Sequence, residues 1–583
     1  MNNFYRFTRF YAVSAVIVLM GCAASALSAQ AEDSDNANMK IARNLDVFNS
    51  LYKELNTFYV DTIDAEKSIE TAINAMLDNI DPYTEYIPPK SQDDFLAIST
   101  GEYGGIGSII MEYKGNVYIS EPYEGSPAAR AGLRPGDKIV MIDNDSVAGW
   151  GNKKVSEHLK GQAKTKLRVV VELPYHDGGP LEFNITREKI KMNSVEYFGT
   201  LRKNIGYIAL NTFNQNSPEE VRNALIELKK NPEVKCIVLD LRGNGGGLLE
   251  SAVQIVGLFV PKGTQVLQTR GRFKQNEKTY KTTQEPVDTD IPLVVMIDGG
   301  SASSSEIVAG SLQDLDRAVI LGSRSYGKGL VQTTRPLPFE GLLKVTISKY
   351  YIPSGRLIQA IDYSRRNPDG SVARIPDSLT TVFHTAHGRE VRDGGGITPD
   401  IKVEYPPMNR LTYNIIRDEW AFNFATKFAA EHATIAPPED FEVTDSIYAD
   451  FKRFINPDEF KYDKVCEDRL KQLREAAETE GYMNDSTKAQ FEVMEKLLKH
   501  DLSHDLDIHR TEIAKLIADE IQKRYYFQRG QAIESLKTDN HIAEVEKLLN
   551  TPGDYERILN IAVKDNGNAR KNTKKNKPKK SQR

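Results

Sequence analysis

Residues 291–332 open with Ile291-Pro-Leu-Val-Val-Met-Ile297, turn through Asp298-Gly-Gly300, and continue as Ser301-Ala-Ser-Ser-Ser-Glu306. They close with Tyr326-Gly-Lys-Gly-Leu-Val-Gln332. The first run is unbroken and apolar, as a strand covered on both faces requires. Ile307, Val308, Leu312 and Leu315 then recur at helical spacing, so a helix begins at the serines. A serine at such a turn lies where backbone N–H groups lack partners and the helix dipole is positive. An oxyanion forming beside it is stabilised by both. Lys328 lies between two glycines, where the backbone packs closely enough to bury an amine. The same residues also meet a plainer need: Ser303-x-x-Glu306 is a capping box, and Gly-Lys-Gly is a common turn. The local pattern leaves catalysis and capping both open.

Three longer strings separate them. Ser-Ala-Ser-x-Ser-Glu-Ile-Val-Ala-Gly from Ser301, Tyr-Gly-Lys-Gly-x-Val-Gln from Tyr326, and Lys349-Tyr-Tyr-Ile-Pro-Ser-Gly-Arg356 together resemble the carboxy-terminal processing (tail-specific) peptidases. The resemblance implies a Ser–Lys dyad, with Ser303 as nucleophile, Lys328 as general base and Gln332 as the amide that orients it. It continues through Ile80-Asp-Pro-Tyr-Thr84, Asp240-Leu-Arg-Gly-Asn-Gly-Gly-Gly247, Gly388-Arg389 and Gly394-Gly-Gly-Ile-Thr-Pro-Asp400. The glycine string there contributes an oxyanion N–H: Ser304 is the expected first donor, and Gly246 or Gly247 the second. Gly245 stands where many relatives carry Pro. The implied fold is α/β and multi-domain, a crotonase-like (ClpP/crotonase-type) peptidase core with an inserted PDZ domain and helical N- and C-terminal regions.

With 583 residues the chain holds several domains, and a net charge of −5 selects no particular partner. Arg6 and Arg9 followed by the apolar Tyr11–Met20 read as an export signal. Leu19-Met-Gly-Cys22 resembles a lipobox that would acylate Cys22, whereas Ala29-Gln-Ala31 suits ordinary cleavage. An uncleaved anchor is a third possibility. A periplasmic or cell-envelope location follows, with membrane tethering left open. Cys22, Cys236 and Cys466 do not make a disulfide framework. The nine histidines contain no His-Glu-x-x-His, and His500, His504 and His509 read as a solvated helix face. No metal, cofactor or nucleic acid is expected.

Outward from the central stretch, the expected divisions are a signal peptide or lipoprotein signal at 1–31, a helical region at 32–94 and a PDZ domain at 95–190. A peptidase core at 191–409, a helical region at 410–569 and a basic disordered tail at 570–583 follow. Tyr103-Gly-Gly-Ile-Gly107, with Glu124-Gly-Ser-Pro-Ala and Gly-Asp-Lys-Ile behind it, resembles a bacterial PDZ domain. Tyr103, Gly104, Gly105, Ile106 and Gly107 are the expected carboxylate-binding loop, since successive glycine N–H groups form an anion nest. A neighbouring strand edge can pair with a ligand backbone. Ser217-Pro-Glu-Glu reads as a helix start with Ser217 as cap. Leu342–Tyr351 reads as a strand whose edge is available to a substrate chain.

These readings describe an exported serine endopeptidase acting on protein C-termini through an acyl-enzyme, with a homo-oligomer possible. A buried lysine can act as base, because desolvation lowers its pKa from about 10.4. Two rivals differ in class: a non-catalytic PDZ adaptor on a degenerate scaffold, and a Ser–His–Asp hydrolase using His384 or His387. The intact dyad weighs against the first, and the lack of Gly-x-Ser-x-Gly against the second.

Overall fold

The computed structural model describes residues 38–176, 178–367 and 371–561. The export signal, Cys22 and the basic tail lie outside these. The described residues contain no helix long and apolar enough to cross a membrane. The described residues fall into two compact units, one up to Tyr86 and one from Ile87 onward. In the first, a helix over 38–58 precedes Ala65–Asp78, which Asp64 caps by accepting the Lys67 N–H. Asp81 then closes a turn by accepting the N–H groups of Tyr83 and Thr84, both at 2.8 Å. The apolar faces of the first helix stay exposed at Leu45, Phe48 and Leu51.

In the larger unit, one six-stranded sheet carries the site. Its strands lie in the order Val195–Leu201, Ile205–Leu210, Cys236–Asp240, Leu293–Ile297, Val319–Gly322, Ile401–Lys402. The first pair is antiparallel and the rest are parallel. Alternation explains why the central strands read as continuous apolar runs. Ile237, Leu239, Leu293, Val295 and Ile297 face helices Ser217–Lys229, Leu249–Val256 and Ser304–Asp314. Cys236, Val238, Val294 and Met296 face the other way, against Ile542, Val545, Leu548 and Leu559. The C-terminal region therefore covers the second face of the peptidase sheet.

A second sheet includes Leu330–Pro336, Leu342–Tyr351, Gln265–Gly271 and Lys278–Lys281. Here the structure corrects one expectation. Leu342–Tyr351 pairs along its length with Leu330–Pro336 and at its C-terminal end with Gln265–Gly271. With partners on both sides it is not an open edge; Leu330–Pro336, beside the lysine turn, pairs on one side only, as does Lys278–Lys281 at the other end of the sheet. Another correction is smaller. Asn216, not Ser217, precedes the helix Ser217–Lys229, and the Ser217 hydroxyl turns back to accept the Asn214 N–H at 2.7 Å.

The PDZ-like module is a single antiparallel sheet in the order Ser108–Tyr113, Asn116–Pro122, Lys138–Ile142, Lys166–Glu172 and Leu181–Thr186, with Asp145–Ser146 paired to Lys138–Ile142 and helix Asn152–Leu159 packed beside it. Beyond residue 410, helices bury Phe424, Phe451, Ile513, Ile517 and Ile521 in a core of their own. Helix Arg510–Lys537 links that core to both neighbours. Lys523 reaches Glu121 of the PDZ-like module, and Leu536 packs on the peptidase sheet.

Candidate active site

The serine turn is built by the register of two parallel strands. Leu293–Ile297 ends at Asp298, whose carboxylate accepts the N–H of Gly243 at 2.8 Å and of Gly300 at 2.9 Å. The Ser301 hydroxyl donates to the Leu241 carbonyl at 2.7 Å, and that of Ser305 to the Asn244 carbonyl at 2.8 Å. Two serines of the cluster are thus structural, and both are fully buried. Ser303, the residue before helix Ser304–Asp314, has φ 55° and ψ −111°. A non-glycine residue there is strained, a condition that persists only where surrounding contacts over-determine it.

Those contacts are explicit. Glu306 is fully buried. Its carboxylate accepts the N–H of Ser303 at 2.9 Å, of Gly327 at 2.7 Å and of Lys328 at 2.8 Å, and the Ser325 hydroxyl at 2.5 Å. Burial pushes its pKa up to about 7 against the pull of these donors. On the opposite side, the buried Tyr350 hydroxyl is shared between the carbonyls of Lys328 at 2.9 Å and Ser303 at 3.3 Å. One carboxylate and one phenol therefore bind the backbones of Ser303 and Lys328 together. The lysine turn is close-packed: a Cβ on Gly327 would fall 2.3 Å from that of Ala360, and one on Gly329 2.9 Å from the Gln359 nitrogen. Lys328 itself is partly buried. Gln332 lies four residues farther on, in the edge strand, where its amide donates to the Thr346 hydroxyl at 3.1 Å.

The glycine string lies against this turn. A Cβ on Gly246 would stand 2.9 Å from that of Ser303 and 3.0 Å from the Ser304 nitrogen. The Gly246 N–H donates to the Asn244 side chain at 2.9 Å, and the Gly247 carbonyl accepts the Ser304 hydroxyl at 3.0 Å. Asn244 is the linchpin: its carbonyl also accepts the Ala302 N–H, and its side chain donates to the Leu210 carbonyl. At the far end of the serine helix, Asp314 and Arg356 form a fully buried ion pair of 2.9 Å, and Arg389 bridges Asp316 and Asp400 at 2.6 Å each.

Elsewhere the expected residues take other parts. In the PDZ-like module, Tyr103, Ile106 and Gly107 line a narrow cavity of about 30 Å³ against Leu159 and Lys160 of the adjacent helix end. Gly104 passes so close to Gly161 that a Cβ would sit 2.2 Å from its carbonyl, and Gly105 ends the strand Glu102–Gly105. His387 contacts the Leu559 carbonyl at 3.1 Å, and His384 lies in the exposed hairpin strand Val382–His384. Among the described residues no group of three or more His, Cys, Asp or Glu is placed to hold a metal ion. Burial pushes the Cys236 thiol up to about 12, far from a thiolate nucleophile. Three contributors escaped the sequence reading as such. Glu306 was legible only as a cap, while Tyr350 and Asn244 gave no signal beyond membership of longer motifs.

Fold and site define a serine peptidase joined to a PDZ domain. The model of peptidase family S41 matches residues 204–372, a PDZ domain model matches 118–173, and one described as "Probable PDZ-protease, C-terminal helical domain" matches 411–549. A carboxy-terminal-processing protease of Bartonella bacilliformis is 33% identical over 411 residues, covering 70% of this chain and 84% of that protein. A probable CtpA-like serine protease of Staphylococcus aureus is 29% identical over 468 residues, covering 79% and 83%. Among solved structures, the photosystem II D1 C-terminal processing protease is 26% identical, covering 60% of this chain and 86% of that one, with a TM-score of 0.34. The chain belongs to the carboxy-terminal-processing protease family.

Proposed function

We propose that this protein is an exported endopeptidase that engages protein C-termini through its PDZ domain and cleaves by a Ser303–Lys328 dyad. The observation that carries the reading is the shared clamp, Glu306 on two N–H groups and Tyr350 on two carbonyls, fixing Ser303 against Lys328. In the first half-reaction the Ser303 hydroxyl oxygen bonds to the scissile carbonyl carbon, and its proton passes to the neutral Lys328 amine. The C–N bond then breaks, the lysine returns that proton to the departing amine, and an ester to Ser303 remains. Water, deprotonated by Lys328, attacks the ester and releases a carboxylate with the serine restored. Gln332 orients the amine without adding charge, which would otherwise favour the ammonium.

For the oxyanion, Ser304 N–H is the first donor. Gly247 is the second, since the Gly246 N–H is already directed at Asn244. The substrate chain pairs with the open edge of Leu330–Pro336, which begins two residues after the lysine. The segment Tyr103–Gly107, a strand through Gly105, receives a terminal carboxylate at its C-terminal end. Export, and tethering through the N-terminal segment or an acylated Cys22, follow from the sequence of residues 1–31.

Mass spectrometry of products from casein and from a peptide library with free or amidated C-termini tests this. Wild type should yield discrete fragments, absent with Ser303→Ala and reduced for amidated peptides. Equal digestion by Ser303→Ala would remove the dyad, and indifference to amidation would remove the PDZ role.

A further inference from the structure

The C-terminal helical region does more than cover the sheet. Arg242 stands two residues before Asn244, in the loop that packs against the nucleophile turn. Its guanidinium bonds the Asp240 carboxylate, with nitrogen–oxygen distances of 2.6–3.0 Å, and reaches Asp539 at 2.8 Å. Asp539 is the N-cap of helix Asn540–Asn550, where its carboxylate accepts the His541 N–H at 2.8 Å. Tyr405 accepts a further hydrogen bond from Arg242, and its ring lies 4.5 Å from that of His541. The Arg242 and Asp539 side chains are 11% and 7% exposed, so solvent and salt screen the pair weakly.

Helix docking needs none of this charge. Ile542, Val545 and Leu548 already fix the helix on the apolar face of the sheet. Burying an ion pair yields little net stability over an apolar contact of the same shape, and its best-attested use is to fix geometry. The geometry fixed here is that of the loop Leu241–Gly247, which carries Asn244 and the glycine beside Ser304.

We propose that Asp539 is a positioning residue for the peptidase reaction: through Arg242 it holds the oxyanion loop in register with Ser303, making the C-terminal helical region a working part of the active site. The inference rests on the peptidase reading of Ser303. Removing the Asp539 charge leaves Arg242 tied to Asp240 and Tyr405 but without its anchor on the helix N-terminus, which loosens the loop. Substrate binding along the edge strand is untouched, so the loss falls on the chemical step.

The test compares full-length wild type, Asp539→Asn, Asp539→Glu and Val545→Ala, the last thinning the same helix–sheet contact away from the ion pair. For each, kcat and KM on a peptide substrate, Tm, and amide hydrogen exchange over residues 241–247 are measured. Asp539→Asn should lower kcat about ten-fold with KM within two-fold, and quicken exchange in that loop. Asp539→Glu should recover most of the loss. Val545→Ala should lower Tm while holding kcat within two-fold at a temperature where it is folded. An Asp539→Asn enzyme with wild-type kcat and wild-type loop exchange overturns the proposal, as does a Val545→Ala kcat that falls in step with its Tm. Should wild type hydrolyse no faster than Ser303→Ala, the peptidase reading fails by itself. The exchange comparison then decides the anchor alone: unchanged protection over 241–247 in Asp539→Asn overturns it.

Discussion

Ser303 keeps a strained backbone because Glu306 and Tyr350 hold it on both sides, and each hold can be cut by a single isosteric change. Glu306→Gln replaces one oxygen, which accepts N–H groups, by an NH₂ that meets them as a second donor. A buried donor left without an acceptor costs about 1–3 kcal/mol. A displacement of about 1 Å at a reacting atom costs about 100-fold in rate. Glu306→Gln is therefore expected to lower kcat by about 10- to 100-fold and to reduce Tm, read by hydrolysis and by the rate at which a fluorophosphonate labels Ser303. Tyr350→Phe removes one hydroxyl and should cost about 1 kcal/mol of stability with a smaller kcat loss, checked in the same assays. Lys328→Arg tests the base directly. A guanidinium stays protonated, so this variant should be as inactive as Lys328→Ala, about 10³-fold or more below wild type in kcat/KM.

At the scale of elements, the site is a meeting of three turns, each at the C-terminal end of a strand or the start of a helix. The glycine string after Cys236–Asp240, the serine turn after Leu293–Ile297 and the lysine turn after Val319–Gly322 lie side by side because the three strands are parallel neighbours. Gly246 has φ 101° and no room for a side chain beside Ser303. Gly246→Ala should push the serine turn aside and abolish turnover, by about 100-fold or more, while the PDZ-like module retains peptide binding by fluorescence anisotropy. The strand-turn-helix pattern, the central strands and the lysine turn were legible because strands buried on both faces write themselves as apolar runs. The mistaken edge at Leu342–Tyr351 was not avoidable on those grounds. Alternation tells which faces of a strand are covered and is silent on its edges, which hydrogen-bond to whatever strand the fold delivers.

For the whole molecule, the contact between the PDZ-like module and helix Arg510–Lys537 concentrates acids out of water. Glu121, Glu419 and Asp519 are each raised to about 7, chiefly by burial, with Lys523 facing Glu121, Glu419 and Asp519. Glu520 lies near all three and Glu196 near Glu121, opposing their ionisation. A carboxyl whose folded pKa exceeds its unfolded value binds protons that the unfolded chain has released. Stability from this cluster is therefore highest below about pH 4.5 and falls as pH rises to about 7, by up to about 1.4 kcal/mol per pH unit for each proton. Glu306 titrates with the same sign. Tm should decline between pH 5.5 and pH 8, and Glu121→Gln should flatten that slope in a thermal melt.

The sequence alone determined the family-like motifs, the buried strands, the serine and lysine turns, and the helical character of the C-terminal region, because these depend on residue type and on spacing along the chain. Only the tertiary structure decided that Glu306 and Tyr350 clamp the backbones of Ser303 and Lys328, that Leu330–Pro336 has an open edge, and that Asp539 meets Arg242. Those are contacts between residues brought together by strand order and helix docking. Periodicity records that a face is covered; it carries no record of what covers it.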